Sequence, residues 1–189
     1  LAKPHIGGTS IGRSTEGYAG PTYSGGSGTS YGMLNPTQDI VDEYAMNNGL
    51  VITDPNSGYD PQNPYENREA RFYQSIVHDG SMWNGFAYYS RLGVGSLNEL
   101  DLGIVTSASN TGYAFRKGLK EEYASSGNNR LSSANSILFR YAEVLLSYAE
   151  AQNEAVGPDA SVYDAVNKVR DRSELPPLLE NLSQEDMRT

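Results

Sequence analysis

Proton transfer near neutral pH needs a histidine, or a carboxyl group whose pKa has been raised. The chain has two histidines, His5 and His78, far apart in sequence and with no metal-ligand spacing between them. Its 23 Asp and Glu residues outnumber its 14 Lys and Arg residues. Glu143 and Glu150 lie seven positions apart, so on a helix they share a face. A glycoside hydrolase needs two such carboxyls flanking a cleft. Here the same stretch also supplies basic partners. Arg140 stands beside Glu143, and Arg170 and Arg172 follow on the next periodic run. The spacing therefore points to a polar network that fixes helix register rather than to an acid–base pair.

Two strings match the G-x-S-x-G pattern, Gly8-Thr9-Ser10-Ile11-Gly12 and Gly28-Thr29-Ser30-Tyr31-Gly32. A nucleophile elbow needs a buried strand before the serine and a helix after it. Neither string has that context, and glycine–serine sequence produces such matches by chance. Asp54-Pro55-Asn56-Ser57-Gly58-Tyr59-Asp60 resembles a calcium loop only at first sight. An EF-hand requires other residues at Gly58, Tyr59 and Tyr65, so consecutive turns are expected instead.

What remains is a set of aromatic rings on irregular sequence. Tyr18, Tyr23, Tyr31, Trp83, Tyr88, Tyr89 and Tyr113 lie on no apolar helical stripe. A flat ring beside amides and guanidinium groups suits a sugar. The C–H face of a pyranose packs on the ring, and its hydroxyls bond to the polar neighbours. The candidate ligand-binding residues are Trp83, Tyr88, Tyr89, Asn84, Arg91, Tyr31 and Tyr23. No catalytic residue, metal ligand or cofactor is expected.

These loops need a scaffold, and the stretch from Ile137 to Leu175 supplies it. Ile137, Tyr141, Val144, Leu145 and Tyr148 fall at helical spacing, with Leu138, Ala142 and Ala149 beside them. Gly157 is a good helix C-cap, Pro158 cannot continue the helix, and Asp159 or Ser161 can start the next one. The second run presents Val162, Ala165, Val166 and Val169 on one face, and Pro176-Pro177 stops it. So short a connection makes an αα-hairpin, about as long as a tetratricopeptide repeat. Tyr44, Tyr141, Tyr148 and Tyr163 are expected in the core.

Upstream, Asn35-Pro36-Thr37-Gln38 starts a helix expected to run to about Met46, with Ile40, Val41 and Tyr44 inward. Arg71 to Val77 reads as a strand, and Gly112 to Leu119 as its antiparallel partner. Arg68 and Arg71 are expected to hold loops together. The expected organisation is a single fragment. It comprises a Gly/Ser/Tyr-rich loop at 1–34, helix plus strand at 35–78, a loop insert with the second strand at 79–130, the helical hairpin at 136–175, and the first turn of a helix at 183–189. The fold class is mainly α, a tetratricopeptide-like hairpin scaffold with long irregular loops and a small antiparallel β element.

Composition narrows the function. A net charge of −9 and a pI near 4.7 disfavour nucleic acid and anionic lipid. Cysteine is absent, which excludes disulfides and thiolate metal sites. No apolar run is long enough to span a membrane.

The residues also carry a resemblance. Arg140-Tyr141-Ala142-Glu143-Val144-Leu145-Leu146-x-Tyr148-Ala149-Glu150-Ala151, with Asn167-x-Val169-Arg170-x-Arg172 and Leu175-Pro176, resembles the SusD/RagB family. Pro36-Thr37-Gln38-x-Ile40-Val41-Asp42 and Ser57-Gly58-Tyr59-Asp60-Pro61-x-Asn63-Pro64-Tyr65-x-Asn67-Arg68-x-x-Arg71-Phe72-Tyr73 match it upstream. The match covers roughly 36–77 and 137–177. It departs at Glu69-Ala70, where the family commonly has an acidic residue and then proline. The resemblance implies an alpha-alpha superhelix and a nutrient-binding lipoprotein on the outer membrane of Bacteroidetes. Such a protein captures glycans at the cell surface and delivers them to a SusC-like TonB-dependent transporter, without catalysis. It also implies that this stretch is part of a longer chain whose lipid anchor lies elsewhere. The competing readings are a scaffold that docks on the transporter and, further off, a glycoside hydrolase.

Overall fold

A computed structural model describes residues 1–10, 12–23, 30–100, 109–124 and 132–188. Its helices are α1 (Thr15–Ala19), α2 (Gln38–Asp42), α3 (Ala70–Ser75), α4 (Tyr141–Val156) and α5 (Ala160–Arg172). Its strands are β1 (Ala2–Lys3), β2 (Ile76–Val77), β3 (Met82–Trp83), β4 (Phe86–Ala87), β5 (Ala114–Phe115) and β6 (Ser136–Ile137). The chain divides into two compact units. One holds Leu1, Ala45–Ala70 and Ile137–Thr189, and the other holds Ala2–Tyr44 and Arg71–Ser136.

The first unit contains the expected hairpin. Gly157 ends α4 at φ +92°, a conformation that costs a residue with a side chain but not glycine, and its N–H bonds to the Asn153 carbonyl. Asp159 starts α5 by accepting from the backbone N–H groups of Ser161 and Val162. Ala149 of α4 packs on Val162 and Ala165 of α5, with Leu145, Val166 and Met187 around them. The segment after α5 is tied back to it. Leu182 N–H donates to the Tyr163 hydroxyl at 2.8 Å, and Leu178 N–H to Asn167 Oδ1 at 2.9 Å.

Two expectations for this hairpin change. Along α4 only the Ala149 position of the stripe is sealed. Tyr141 is 69% exposed and Tyr148 46%, so these tyrosines are surface rather than core. The reason is local: α5 covers one narrow line of α4, and a stripe wider than one partner helix stays wet. The expected polar network is also replaced. Among the described residues neither Glu143 nor Glu150 forms an ion pair. Arg170 Nε donates to the Pro176 carbonyl, and Glu154 pairs with Arg188 at 2.7 Å.

The cap makes a pH prediction. Hydrogen bonds from the Ser161 side chain and from Gln152, followed by the backbone N–H of Val162, pull Asp159 from the ordinary 3.8 down to about 2. A carboxyl depressed in the folded state stabilises above its unfolded pKa, and that stability is lost as pH falls through the folded value. Helix content followed by circular dichroism should therefore fall between pH about 4 and about 2. The Asp159→Asn variant, which still accepts at the cap, should lose that portion of the acid transition.

In the same unit, residues 45–47 run alongside 67–69. Glu69 N–H bonds to the Ala45 carbonyl, Asn47 N–H to the Asn67 carbonyl, and Ala45 N–H to Glu69 Oε1. This pairing, with the Met46–Arg68 bridge, consumes the backbone that the longer helix expected at 35–46 would need. The helix stops at Asp42, burying Val41 and leaving Ile40 at the surface. Arg68 is buried, donates to the Pro64 carbonyl at 3.0 Å and lies 5.8 Å from the Tyr59 ring centre.

The second unit is built on short antiparallel pairs. Ile76 faces Phe115 and Val77 faces Ala114, so the 71–77 and 112–119 stretches do pair. Most of the first stretch is helical, however: Ala70–Ser75 forms α3, and only Ile76 and Val77 are strand. Phe72 explains the change. It is fully buried and touches the Tyr44, Tyr73 and His78 rings, which a one-turn helix can gather and an extended strand cannot. A second ribbon, β3–β4, turns at Asn84-Gly85 with φ +47° and +78°. Positive φ at both positions is the type I′ geometry that matches strand twist. Trp83, Val77, Tyr88, Ala114 and Ala124 form one hydrophobic cluster in the core of this unit, with Leu119 packed on it.

Candidate functional site

The exposed aromatic surface of the second unit is organised by α1, a five-residue helix inside the stretch expected to be loop. Glu16 is 1% exposed, and its Oε1 accepts from Ser132 Oγ at 2.7 Å and from Lys120 N–H at 3.2 Å. These bonds tether α1 to two distant stretches of chain. Ser30, also buried, donates its hydroxyl to the Glu16 and Gly20 carbonyls, and its N–H to the Thr22 carbonyl. The serine of the second G-x-S-x-G string is thus a clamp. Gly28 and Thr29 of that string, and Ile11 of the first, lie outside the described residues.

The clamp sets the rings. Tyr31 N–H bonds to the Gly17 carbonyl and Met33 N–H to the Tyr18 carbonyl, so segment 31–33 lies along α1. Tyr31 then stacks on Tyr18, with ring centres 5.4 Å apart and planes 16° apart. The two are 48% and 40% exposed, so the pair presents aromatic surface to water. Tyr23 is one residue beyond the Thr22–Ser30 bond. Its N–H donates to Asn98 Oδ1 at 2.8 Å, and its carbonyl accepts from Asn98 Nδ2 at 3.0 Å. Its ring meets the exposed Phe86 edge-on at 6.3 Å.

The other sequence-derived candidates divide. Trp83 and Tyr88 are 1% and 2% exposed, so neither presents a ring to a ligand. Strand alternation is the reason: in β3 the Met82 side chain points outward, and Trp83 turns into the core. Arg116 covers the indole at 5.7 Å, and Gly20 approaches it so closely that a β-carbon there would lie 3.1 Å from Cζ2. Burial pushes the Tyr88 phenol well above its ordinary range, and its hydroxyl donates to the Gly112 carbonyl. Asn84 sits at the ribbon turn, where its N–H is held by Glu121 Oε2 at 2.7 Å. Arg91 lies 4.8 Å over the half-buried Tyr89 ring and pairs with Asp79 at 2.6 Å, which occupies one face of that ring. Tyr31 and Tyr23 each stand next to the Ser30–Thr22 bond, while Tyr89 and Arg91 form a separate small group.

Tyr18, the partner of Tyr31, is one of the loop rings but lies outside the sequence-derived ligand set. The sequence sign for it is the recurrence of tyrosine along the glycine-rich stretch, with Tyr18 inside α1 and Tyr31 beyond it. Tyr113, counted among the loop rings, is buried and donates to Gln38 Oε1 at 2.8 Å.

The remaining chemistry-bearing residues are engaged elsewhere. His5 Nε2 lies 3.0 Å from Ser136 Oγ, and His78 stacks on Phe72. Asp54 and Asp60 accept from their own turns, and the Gln62 N–H, then the Asn63 side chain, hold the Asp60 carboxyl below its ordinary range. Among the described residues no cluster of three His, Cys, Asp or Glu side chains could hold a metal ion, and no helix is long and apolar enough to cross a membrane.

Comparison with known proteins places this architecture. The model of the SusD family matches residues 5–189. A SusD-like protein of Bacteroides fragilis is 28% identical with a TM-score of 0.69, over 92% of this chain and 35% of its own. A SusD-like carbohydrate binding protein of the same species is 27% identical with a TM-score of 0.76, over 100% of this chain and 36% of its own. The chain therefore spans about a third of the length of these solved structures. No curated protein matches it.

Proposed function

The chain belongs to the SusD family, and from that membership we propose that it binds nutrient glycans at the outer-membrane surface, without cleaving them, for delivery to a TonB-dependent transporter. The observation that carries the binding half of this reading is the Tyr18–Tyr31 stack. Backbone bonds set the two phenol rings nearly parallel, and both are substantially open to water. Holding large rings exposed leaves apolar surface hydrated, which a ligand that stacks would relieve. Tyr23 and Phe86 extend aromatic surface from the same clamp. A likeness to a relative described as carbohydrate binding supports the same ligand class. Lipid anchoring and hand-over to the transporter rest on family membership.

The chemistry around the rings favours binding over cleavage. The exposed rings have no paired carboxyls among the described residues around them, and Ser30 is consumed as a donor. Isothermal calorimetry of the purified chain against a panel of neutral and acidic oligosaccharides is the test, with reducing ends assayed in the same samples. At least one glycan should bind and none should be shortened. Silence across the whole panel would remove the binding reading, and release of reducing sugar would remove the non-catalytic one.

A further inference from the structure

A second place on the same unit has a different chemistry from the ring pair. A cleft of about 400 Å³ lies between the 33–40 stretch and the β2–β5 pair. That size falls within the range of small-molecule sites. Its floor is Ile76 and Phe115, which face each other across the ladder and so project to one side of it. Its wall is Met33, Leu34 and Ile40, which are 67%, 50% and 47% exposed. Scattered exposed apolar residues are ordinary. Three that line a single cleft beside a buried isoleucine make a mostly apolar lining, with Asn35 and Ser75 its neutral polar members. Pro36 and the short α2 explain why. The helix is five residues long, so it turns Val41 inward and has no second turn with which to cover Ile40.

One charge stands in this lining. Lys117 lines the cleft two residues beyond Phe115. Its neighbours Arg116 and Lys120 are paired with Glu121 and Glu122, but among the described residues Lys117 makes no ion pair. No lining residue is a carboxylate. An apolar trough with an unneutralised ammonium at its edge matches a molecule with an apolar body and a negative end.

We propose that this cleft binds a small amphipathic carboxylate, its apolar part lying on Met33, Leu34, Ile40, Ile76 and Phe115 and its carboxylate turned to Lys117. Desolvation of the body drives binding, and the ion pair selects the acid over its neutral analogue. This site is independent of the Tyr18–Tyr31 reading and stands or falls without it.

The experiment uses 4-phenylbutanoate and the neutral 4-phenyl-1-butanol as probes, titrated into the full chain and followed by calorimetry. Wild-type protein should bind both, the acid more tightly. Lys117→Met keeps the length and apolar stem of the side chain, and should weaken the acid by roughly fivefold, about 1 kcal/mol, while leaving the alcohol within about twofold. Ile40→Gln, at a position already half in water, should weaken both probes without unfolding the protein. The proposal is overturned if the acid does not bind wild type. It is equally overturned if Lys117→Met holds the acid as tightly as wild type, or if Ile40→Gln changes neither affinity. Glycan affinity measured on the same variants should stay at the wild-type value. A loss there would show that the cleft is part of the sugar surface and would overturn its independence.

Discussion

Trp83→Ala should destabilise the protein by about 3–5 kcal/mol, the usual cost of emptying a core site of a large ring. The indole is 1% exposed and is the largest fully buried side chain among the described residues. It is packed by Val77, Tyr88, Ala114, Ala124 and Leu119. The ring also organises polar neighbours. Arg116 lies over it, donates to the Tyr73 and Met82 carbonyls, and pairs with Glu121 at 3.1 Å. Without the indole this guanidinium loses its apolar cover. Strands of two residues cannot compensate, because each ribbon is marginal on its own. Domain stability is typically about 5–15 kcal/mol, so the variant should approach the edge of folding. Urea unfolding with circular dichroism checks this through the transition midpoint. A midpoint within error of wild type, with glycan affinity lost instead, would return Trp83 to the ligand surface.

Removing the ring pair should have the largest effect on binding. Tyr31→Ala or Tyr18→Ala should each weaken glycan binding by on the order of 1–3 kcal/mol, taking the size of aromatic–base stacking as the guide. The double variant should lose less than the sum of the two, because the rings touch and each supports the other. Tyr→Phe at either position keeps the face and should retain most of the affinity. Both side chains are about half in water, so stability should hardly move. Calorimetry on the tightest glycan of the panel, beside a urea transition on the same variant, separates the two effects. Unchanged affinity in the double variant would sink the proposed platform.

The helical hairpin was legible in the sequence because its signals are local. Apolar spacing, Gly157 and Asp159 each act within a few residues, and α4 ends and α5 begins where Gly157 and Asp159 stand; α4 starts only at Tyr141, because Ile137 is in β6, and α5 stops at Arg172, ahead of Pro176. The partnership of 71–77 with 112–119 was legible too, from β-branched and aromatic texture. What the sequence did not yield was decided by contacts between distant stretches. Residues 45–47 leave the helical path because 67–69 pair with them. Phe72 gathers three rings and bends its segment into a helix. Trp83 reads as a ring on a glycine-rich loop, yet Asn84-Gly85 beside it is a strong two-residue hairpin signal. Alternation from Met82 across that turn puts the indole on the inward side. The Tyr18–Tyr31 stack depends on Glu16 and Ser30 bonding across the fold, which no spacing rule reports.

The uncovered row along α4 also governs the behaviour of the molecule in bulk. Tyr141, Val144 and Tyr148 stand in water, with Ile137, Leu138 and Phe139 just ahead of them. At neutral pH a charge of −9 keeps one copy from approaching another. Near pH 4.7 that repulsion vanishes while the wet row remains. Oily surfaces then meet without an electrostatic barrier, and mild acid becomes the condition in which concentrated stocks cloud.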